Sequence, residues 1–475
     1  MRYISTRGTA PELSFADAAL SGLARDGGLY VPASWPKLDA VEIEKFADLS
    51  YVEIACRVLA PFMEGSISDA ELKDFATHAY ATFSTPEVAP LVQIGDKDWL
   101  MELFHGPTLA FKDVAMQFLA RLIDHLLQQR GGRITIIGAT SGDTGAAAVQ
   151  AFRGSEAIDI FMLHPKGRVS PVQRRQMTTA LEPNVHNIEI DGTFDDCQTI
   201  VKHLFQDLEL RDELSLSGIN SINWARVVVQ AVYYFSGAAA LGVKDGKVAF
   251  SVPTGNFGDI YAGYIANRMG LKMDRLLLAT NVNDILVRTL ATGRYELNDV
   301  VATHSPSMDI QIASNFERLL FDTFNRDPAR INAAMTSLAE NGIFSLDDAA
   351  ISEIRSRFAG FRADEAETLA MIRDLHARMN YQADPHTAVG LVAARKAREQ
   401  GVIADDVSII ALATAHPAKF PDAMVAATGI KPELPDNMND IYKREEKCAS
   451  LPNDADAVAS FMREHAAILG TGISV

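Results

Sequence analysis

Apolar residues recur along this chain at two spacings, one helical and one extended. In the first ninety residues the helical spacing dominates. Phe15, Ala19, Leu20 and Leu23 fall on one face, as residues three to four apart do on a helix. Gly27-Gly28 stops that helix, and Leu29-Tyr30-Val31-Pro32 leaves it extended. Asp69 to Phe83 reads as another helix, ended by Ser84-Thr85-Pro86. From residue 90 short apolar runs alternate with helical stretches. Leu91-Val92-Gln93-Ile94 and Trp99 to Phe104 flank Gly95-Asp96-Lys97-Asp98, a hairpin pattern. Phe111 to Gln129 is a helix with Val114, Phe118, Leu122 and Leu126 on one face, ended by Gly131-Gly132. Strands are predicted at Arg133 to Gly138, Ile158 to Leu163, Lys247 to Val252, Leu276 to Ala279 and Val407 to Leu412. Helices are predicted at Gly145 to Phe152 and Asp259 to Met269. Residues 430–453, rich in Pro, Asn and charge, read as irregular surface, and Ala455 to Ile468 as a final helix.

Strands alternating with helices imply largely parallel sheets covered on both faces. The pattern divides the chain into a mainly helical region (1–90), an α/β lobe (91–245) and a second α/β lobe with C-terminal helices (246–475). Length and composition agree. The 475 residues, 48% hydrophobic and 22% charged, are ordinary for a globular protein with large cores. The most membrane-like run, Val227 to Val243, contains Gln230, two tyrosines and Ser236. It is short for a span and reads as a buried helix. Residues 1–8 lack the apolar core of a signal peptide, so a soluble, cytoplasmic protein is expected. Lys and Arg number 44 against 61 Asp and Glu, a net charge of −17. That argues against nucleic-acid or anionic-membrane partners, which select a basic face. An anionic substrate would require a local positive site. Cys56, Cys197 and Cys448 are widely spaced, with no CxxC, which suggests a reducing compartment and no metal site.

Three segments carry candidate chemistry. The first is His105-Gly106-Pro107-Thr108-Leu109-Ala110-Phe111-Lys112-Asp113. A lysine among apolar neighbours at a helix start has its ammonium form disfavoured and becomes a nucleophilic amine. Such lysines form Schiff bases with carbonyl compounds. The plainer alternative is a helix-start lysine paired with Asp113. The second is Ala139-Thr140-Ser141-Gly142-Asp143-Thr144-Gly145, from strand to helix. Its glycines, hydroxyls and helix N-terminus make a cradle for a small anion such as a carboxylate. The alternative is an N-cap with glycine turns. The third is Pro253-Thr254-Gly255-Asn256-Phe257-Gly258-Asp259, again strand to helix, which is similar to a phosphate cup. Neither loop is a P-loop or a GxGxxG fingerprint.

In this order, Lys112 and the two loops resemble the fold-type-II pyridoxal 5'-phosphate (PLP) enzymes. The likeness to the threonine synthase family is closer still. It is carried by Tyr3-Ile4-Ser5-Thr6-Arg7-Gly8, Asp26 to Pro32, the lysine stretch, Ala139 to Gly145, Ser221-Ile222-Asn223-Trp224-Ala225-Arg226, Asp384-Pro385-His386-Thr387-Ala388 and Thr414-Ala415-His416-Pro417-Ala418-Lys419-Phe420. The resemblance spans nearly the whole chain and points to the longer bacterial and fungal branch. It implies the tryptophan synthase β-like fold, with PLP bound on Lys112. It assigns the cofactor phosphate to Gly255, Asn256, Phe257 and Gly258, and the pyridine nitrogen to Thr414. Asp143 is placed near the cofactor's 3'-oxygen, where related enzymes usually have Asn. The substrate carboxylate falls to Thr140, Ser141, Gly142 and Thr144.

For a substrate phosphate, Asn223 and Arg226 are the candidates, spaced to share a helix face, with Arg offering a fork for phosphate oxygens. A structural salt bridge is the alternative. Lys166, Arg168, Arg174 and Arg175 form a basic cluster that could assist or could be a solvated face. His105, His386 and His416 lie in the motifs and receive no proton-transfer role. The implied activity is that of a PLP-dependent carbon–oxygen lyase converting O-phospho-L-homoserine and water to L-threonine and phosphate. The implied form is a monomer with no metal. Two other readings stay open. One is a phospho-lyase or deaminase releasing 2-oxobutanoate, and the other is a protein of this fold that binds ligand without turning it over.

Overall fold

In the computed structural model, which describes residues 1–218, 221–243 and 245–467, the alternating segments assemble into two sheets. A five-stranded sheet has the order Ala449–Leu451, Val185–Ile190, Ile158–Pro165, Ile134–Ala139, Leu216–Ser217, with every neighbouring pair parallel. A six-stranded sheet has the order Phe358–Arg362, Leu276–Thr280, Val248–Pro253, Ser408–Ala413, Asp98–Glu102, Leu91–Gln93. It is parallel except for the hairpin at its edge, where Leu91 faces Met101. The central strands are buried along their whole length, which is why they read as continuous apolar runs rather than alternating ones. Each sheet draws on both sides of residue 245. The 91–102 hairpin joins the six-stranded sheet, and the C-terminal strand and the Ala455–His465 helix return to the five-stranded one.

The N-terminal region is helical around one small antiparallel pair, Tyr3–Ser5 with Tyr30–Pro32. Its helices Tyr51–Met63 and Asp69–Tyr80 both open with capping boxes, Ser50 with Glu53 and Ser68 with Glu71. Such reciprocal bonds satisfy the otherwise orphaned N–H groups of the first turn. The region does positional work. Tyr3, Trp35 and Phe62 pack around the fully buried Trp224 with ring centroids 5.8–6.2 Å apart. They thereby seat the short helix Trp224–Val229, which carries Arg226. Arg318, also fully buried, donates to Tyr30 O at 3.1 Å and Ile222 O at 2.6 Å. It ties the N-terminal pair to that same helix.

Three expectations change. The run Val227 to Val243 belongs to two helices, Trp224–Val229 and Ala231–Ala240, because Gln230 N–H bonds back only three residues, to Val227 O. Within 430–453 lies the strand Ala449–Leu451, an edge strand too short to show a period. The final helix ends at His465, and Ile468 lies outside the described residues. No helix among the described residues is long and apolar enough to cross a membrane.

Candidate active site

Lys112 is the first residue of the helix Lys112–Arg130, and its side chain is buried. The loop before it is stitched to the end of the Ser408–Ala413 strand. Phe111 N–H donates to Thr414 O at 2.8 Å, and His416 N–H donates to Leu109 O at 3.0 Å. Leu109 takes a φ of +61° to make that turn, a conformation that costs a residue bearing a Cβ. Asp113 does not pair with Lys112. It turns back on its own loop and accepts from Thr108 N and Thr108 Oγ1, both at 2.7 Å. Gly106 makes room for it, since a Cβ there would lie 2.4 Å from Asp113 Cβ. The Lys112 ammonium instead lies 3.4 Å from Asp143 Oδ2 and 4.5 Å from the centre of the Phe111 ring. Burial pushes its pKa below that of an ordinary lysine. Asp143 opposes that shift, while Arg226 and Lys419 reinforce it.

The anion cradle opens the helix Asp143–Phe152. Thr140 is its cap in practice. Its Oγ1 accepts the N–H groups of Gly142 and Gly145, each at 2.9 Å, which is the capped glycine turn of the plainer reading. Ser141 and Thr144 are half-buried, and their hydroxyls have no partner among the described residues. Gly142, at φ +141°, packs against Gln173, whose Cδ would lie 2.4 Å from a Cβ. Burial by itself would raise the Asp143 carboxyl. Lys419 first and Lys112 second outweigh burial and hold it well below the usual carboxylate range.

The second glycine loop opens the helix Gly258–Met269. Phe257 adopts φ +63° there, which turns the chain into the helix. The loop is braced by Asn315, whose N–H and Nδ2 both donate to Asn256 O, at 3.1 and 3.0 Å. A Cβ on Gly255 would lie 2.6 Å from Ser307 O. The N–H groups of Gly255, Asn256 and Phe257 find no acceptor among the described residues. Asp384 caps the helix Pro385–Glu399 and orients His386, whose Nδ1 is 2.9 Å from Asp384 Oδ1. His386 Nε2 accepts from Ser307 N–H at 3.2 Å. Thr387 Oγ1 accepts from Thr414 N–H at 3.2 Å. The Asp384 motif thus holds both the cup and Thr414, which is a positioning task for its histidine.

Asn223 stands at the N-cap of its helix rather than on the helix face with Arg226. Its Oδ1 caps the Trp224–Val229 helix at Ala225 N, and its Nδ2 donates to Ala19 O at 2.8 Å. Each end of the amide makes one bond inside the protein, which seats the helix that carries Arg226 and leaves one N–H and one lone pair over. Arg226 is buried and close enough to Lys112 to weigh on its charge. The basic cluster also serves the fold. Arg174 and Arg175 pair with Glu446, and Lys166 reaches Ser450 at 3.2 Å, holding down the C-terminal segment. Two residues at the site were not anticipated. Lys419 pairs with Asp143 Oδ1 at 2.8 Å, and Gln173 donates to the same oxygen at 2.7 Å.

Lys112 thus lies beside the residue that opens one helix, and its charge reaches Asp259 in the first turn of the other; comparison with known proteins narrows what this arrangement is for. Residues 87–415 match the family model of pyridoxal-phosphate-dependent enzymes. Residues 2–80 match that of the threonine synthase N terminus, and residues 387–462 that of the threonine synthase C-terminal region. The threonine synthase of Pseudomonas aeruginosa is 48% identical over 98% of both chains. This chain belongs to the threonine synthase family. The crystal structure of PLP-bound threonine synthase from Brucella melitensis superposes with a TM-score of 0.95 at 52% identity, covering 98% of this chain and 100% of that one. The yeast threonine synthase structure gives a TM-score of 0.92 at 40% identity, with 98% of each chain covered.

Membership in the threonine synthase family makes this a fold-type-II, PLP-dependent enzyme, and its residues fit the cofactor. Three unpaired N–H groups at a helix N-terminus suit a phosphate, and the crowded Gly255 leaves no space for a side chain where the backbone would approach one. Gly255→Ala is therefore expected to weaken cofactor affinity by about tenfold, the equivalent of one modest overpacking penalty. Fluorescence titration of the apo-protein with PLP checks this, and an unchanged Kd would show that the loop is not the phosphate cup.

Proposed function

We propose that this member of the threonine synthase family converts O-phospho-L-homoserine and water to L-threonine and phosphate. The observation that carries the reading is the environment of Lys112: a buried amine 3.4 Å from the ionised carboxylate that opens one glycine-rich helix start, with Asp259 of the other within reach of its charge.

Bound on Lys112, PLP supplies an electron sink that makes hydrogens on the substrate's α- and β-carbons removable. The remaining work belongs to the protein. Ser141, Thr144, the Thr140 hydroxyl proton and the N-terminal end of the Asp143–Phe152 helix hold the substrate carboxylate. Arg226 holds its phosphate. The backbone of Gly255 to Gly258 holds the cofactor phosphate, and Thr414 is assigned to the ring nitrogen. A hydroxyl there leaves the nitrogen largely unprotonated, which tempers the sink and suits elimination and replacement. The Lys112 amine, freed as substrate binds, takes the proton from Cα and then one from Cβ. Phosphate departs from Cγ. A proton returns to Cγ, water adds its oxygen at Cβ, and a last proton reaches Cα. One mobile amine can serve these transfers in turn because burial has lowered its pKa.

The test is the product. O-Phospho-L-homoserine supplied to PLP-loaded protein should yield threonine and phosphate in equal amounts. 2-Oxobutanoate in place of threonine would move the assignment to a phospho-lyase, and the absence of phosphate release would overturn both.

A further inference from the structure

Lys419 lies on the short turn Pro417–Lys419 that follows the Ser408–Ala413 strand of the six-stranded sheet, and its side chain is fully buried. Its Nζ donates to Thr108 O at 2.7 Å and pairs with Asp143 Oδ1 at 2.8 Å. Asp143 heads a helix that crosses over between strands of the other sheet. The pair therefore spans the two halves of the site. Gln173 shares Oδ1, and Gln176 donates to the same Thr108 carbonyl at 2.9 Å. One carboxylate oxygen is committed to Lys419 and Gln173, and the other faces Lys112 at 3.4 Å.

A buried ion pair is a poor device for stability, since two apolar side chains would serve as well. Its value is in fixing a charge at a place. We propose that Lys419 is a positioning residue: from across the cleft it keeps Asp143 an oriented carboxylate, so that Lys112 can release its proton without leaving a buried anion unpaired. The proposal rests on the reading of Lys112 as the cofactor lysine. The ionisable groups around Lys112 are Asp143, Asp259, Arg226 and Lys419. Those around Lys419 are Asp143, Asp113, Lys112 and His416.

The electrostatics give opposite signs for two variants. Without Lys419, proton loss from the Lys112–Asp143 pair strands a carboxylate in a low-dielectric pocket, so the pair keeps its proton to higher pH. Without the Asp143 charge, Lys112 stands beside two cations and loses its proton at lower pH. A neighbouring charge moves a buried group by about 1–3 pH units. A role in packing alone moves neither midpoint.

The experiment is a pH titration of cofactor absorbance in PLP-loaded wild type and in the Lys419→Met, Lys419→Arg and Asp143→Asn variants, each checked for folding by circular dichroism. Lys419→Met should shift the midpoint up, Asp143→Asn should shift it down, and Lys419→Arg should stay near wild type. An unchanged midpoint in folded Lys419→Met would overturn the proposal. The free Lys112 amine is titrated on apo-protein, as the pH dependence of its labelling by an amine-specific reagent followed by mass spectrometry, with shifts of the same sign expected. That version decides the matter if a variant fails to retain PLP, and Lys419→Gln replaces Lys419→Met if the latter does not fold. Borohydride reduction of loaded wild type locates the cofactor. A label on a lysine other than Lys112 would overturn the cofactor-lysine reading, while the apo titration would still report on Lys419 and Asp143.

Discussion

Lys112→Ala is expected to lose threonine formation by about 10⁴-fold or more, because general acid–base transfer alone contributes up to that factor and one amine serves several such steps. It should also lose covalent retention of PLP, seen as the absence of borohydride-fixed cofactor. The fold is expected to survive. Removing a buried cation is usually costly when its partner is left alone, but Asp143 keeps Lys419 at 2.8 Å and Gln173 at 2.7 Å. Circular dichroism and the thermal midpoint should therefore stay close to wild type while phosphate release from O-phospho-L-homoserine vanishes. Activity retained in Lys112→Ala would remove Lys112 from the chemistry and with it the proposed function. Added methylamine offers a further check, since a small amine can enter the space left by the side chain and restore part of the proton transfer.

What the sequence made legible here was local. Lys112 and both glycine loops announce themselves by residues next to one another: a lysine in an apolar stretch, and glycines at a strand-to-helix junction. Their burial and their helix N-termini follow from that local pattern. Asn223 shows where spacing misleads. Three residues from Arg226, it was expected on the same helix face, but it is the N-cap, and a cap turns its side chain onto its own helix. Lys419 shows the converse. Its partner is 276 residues earlier in the chain and opens a helix that packs with the other sheet, so no spacing rule connects them. The available hint was compositional. Lys419 stands among Pro417, Ala418, Phe420 and Pro421, the same sort of apolar setting that drew attention to Lys112. The edge strand Ala449–Leu451 was invisible for a different reason. Three residues do not establish a period, and the strand exists only because Val185–Ile190 offers an open edge.

The charge distribution connects this site to the substrate. The chain as a whole is strongly acidic, at −17, yet three buried cations gather at this site: Arg226 and Lys419 both weigh on Lys112, and Asp143 pairs with the two lysines. Asp259, which the Lys112 charge also reaches, still carries most of its negative charge at neutral pH. Burial raises its carboxyl to about 6, against hydrogen bonds from Tyr233 and Tyr234 at 2.5 and 2.9 Å. The global field disfavours phosphorylated molecules in general, while the pocket selects those that fit.

Arg226 is where that selection is expected to be strongest. Burial brings its guanidinium down to about 10, which leaves it charged at neutral pH and poorly solvated, the condition in which a fork of N–H donors binds phosphate oxygens most firmly. Truncating one partner of such a buried charge pair costs about 2–4 kcal/mol, or roughly 30- to 1000-fold in affinity. Arg226→Ala should therefore raise KM for O-phospho-L-homoserine by that factor. The change in kcat should be much smaller, because the phosphate is held before and during the reaction alike and such binding is uniform. Arg226→Lys keeps the charge but not the fork and should fall between the two. Retention of PLP on Lys112, read by borohydride trapping, should be normal in both variants, which separates a lost substrate contact from a damaged cofactor site. Steady-state kinetics decide the matter: an unchanged KM in Arg226→Ala would place the substrate phosphate elsewhere in the cleft and leave Arg226 a structural cation beside Lys112.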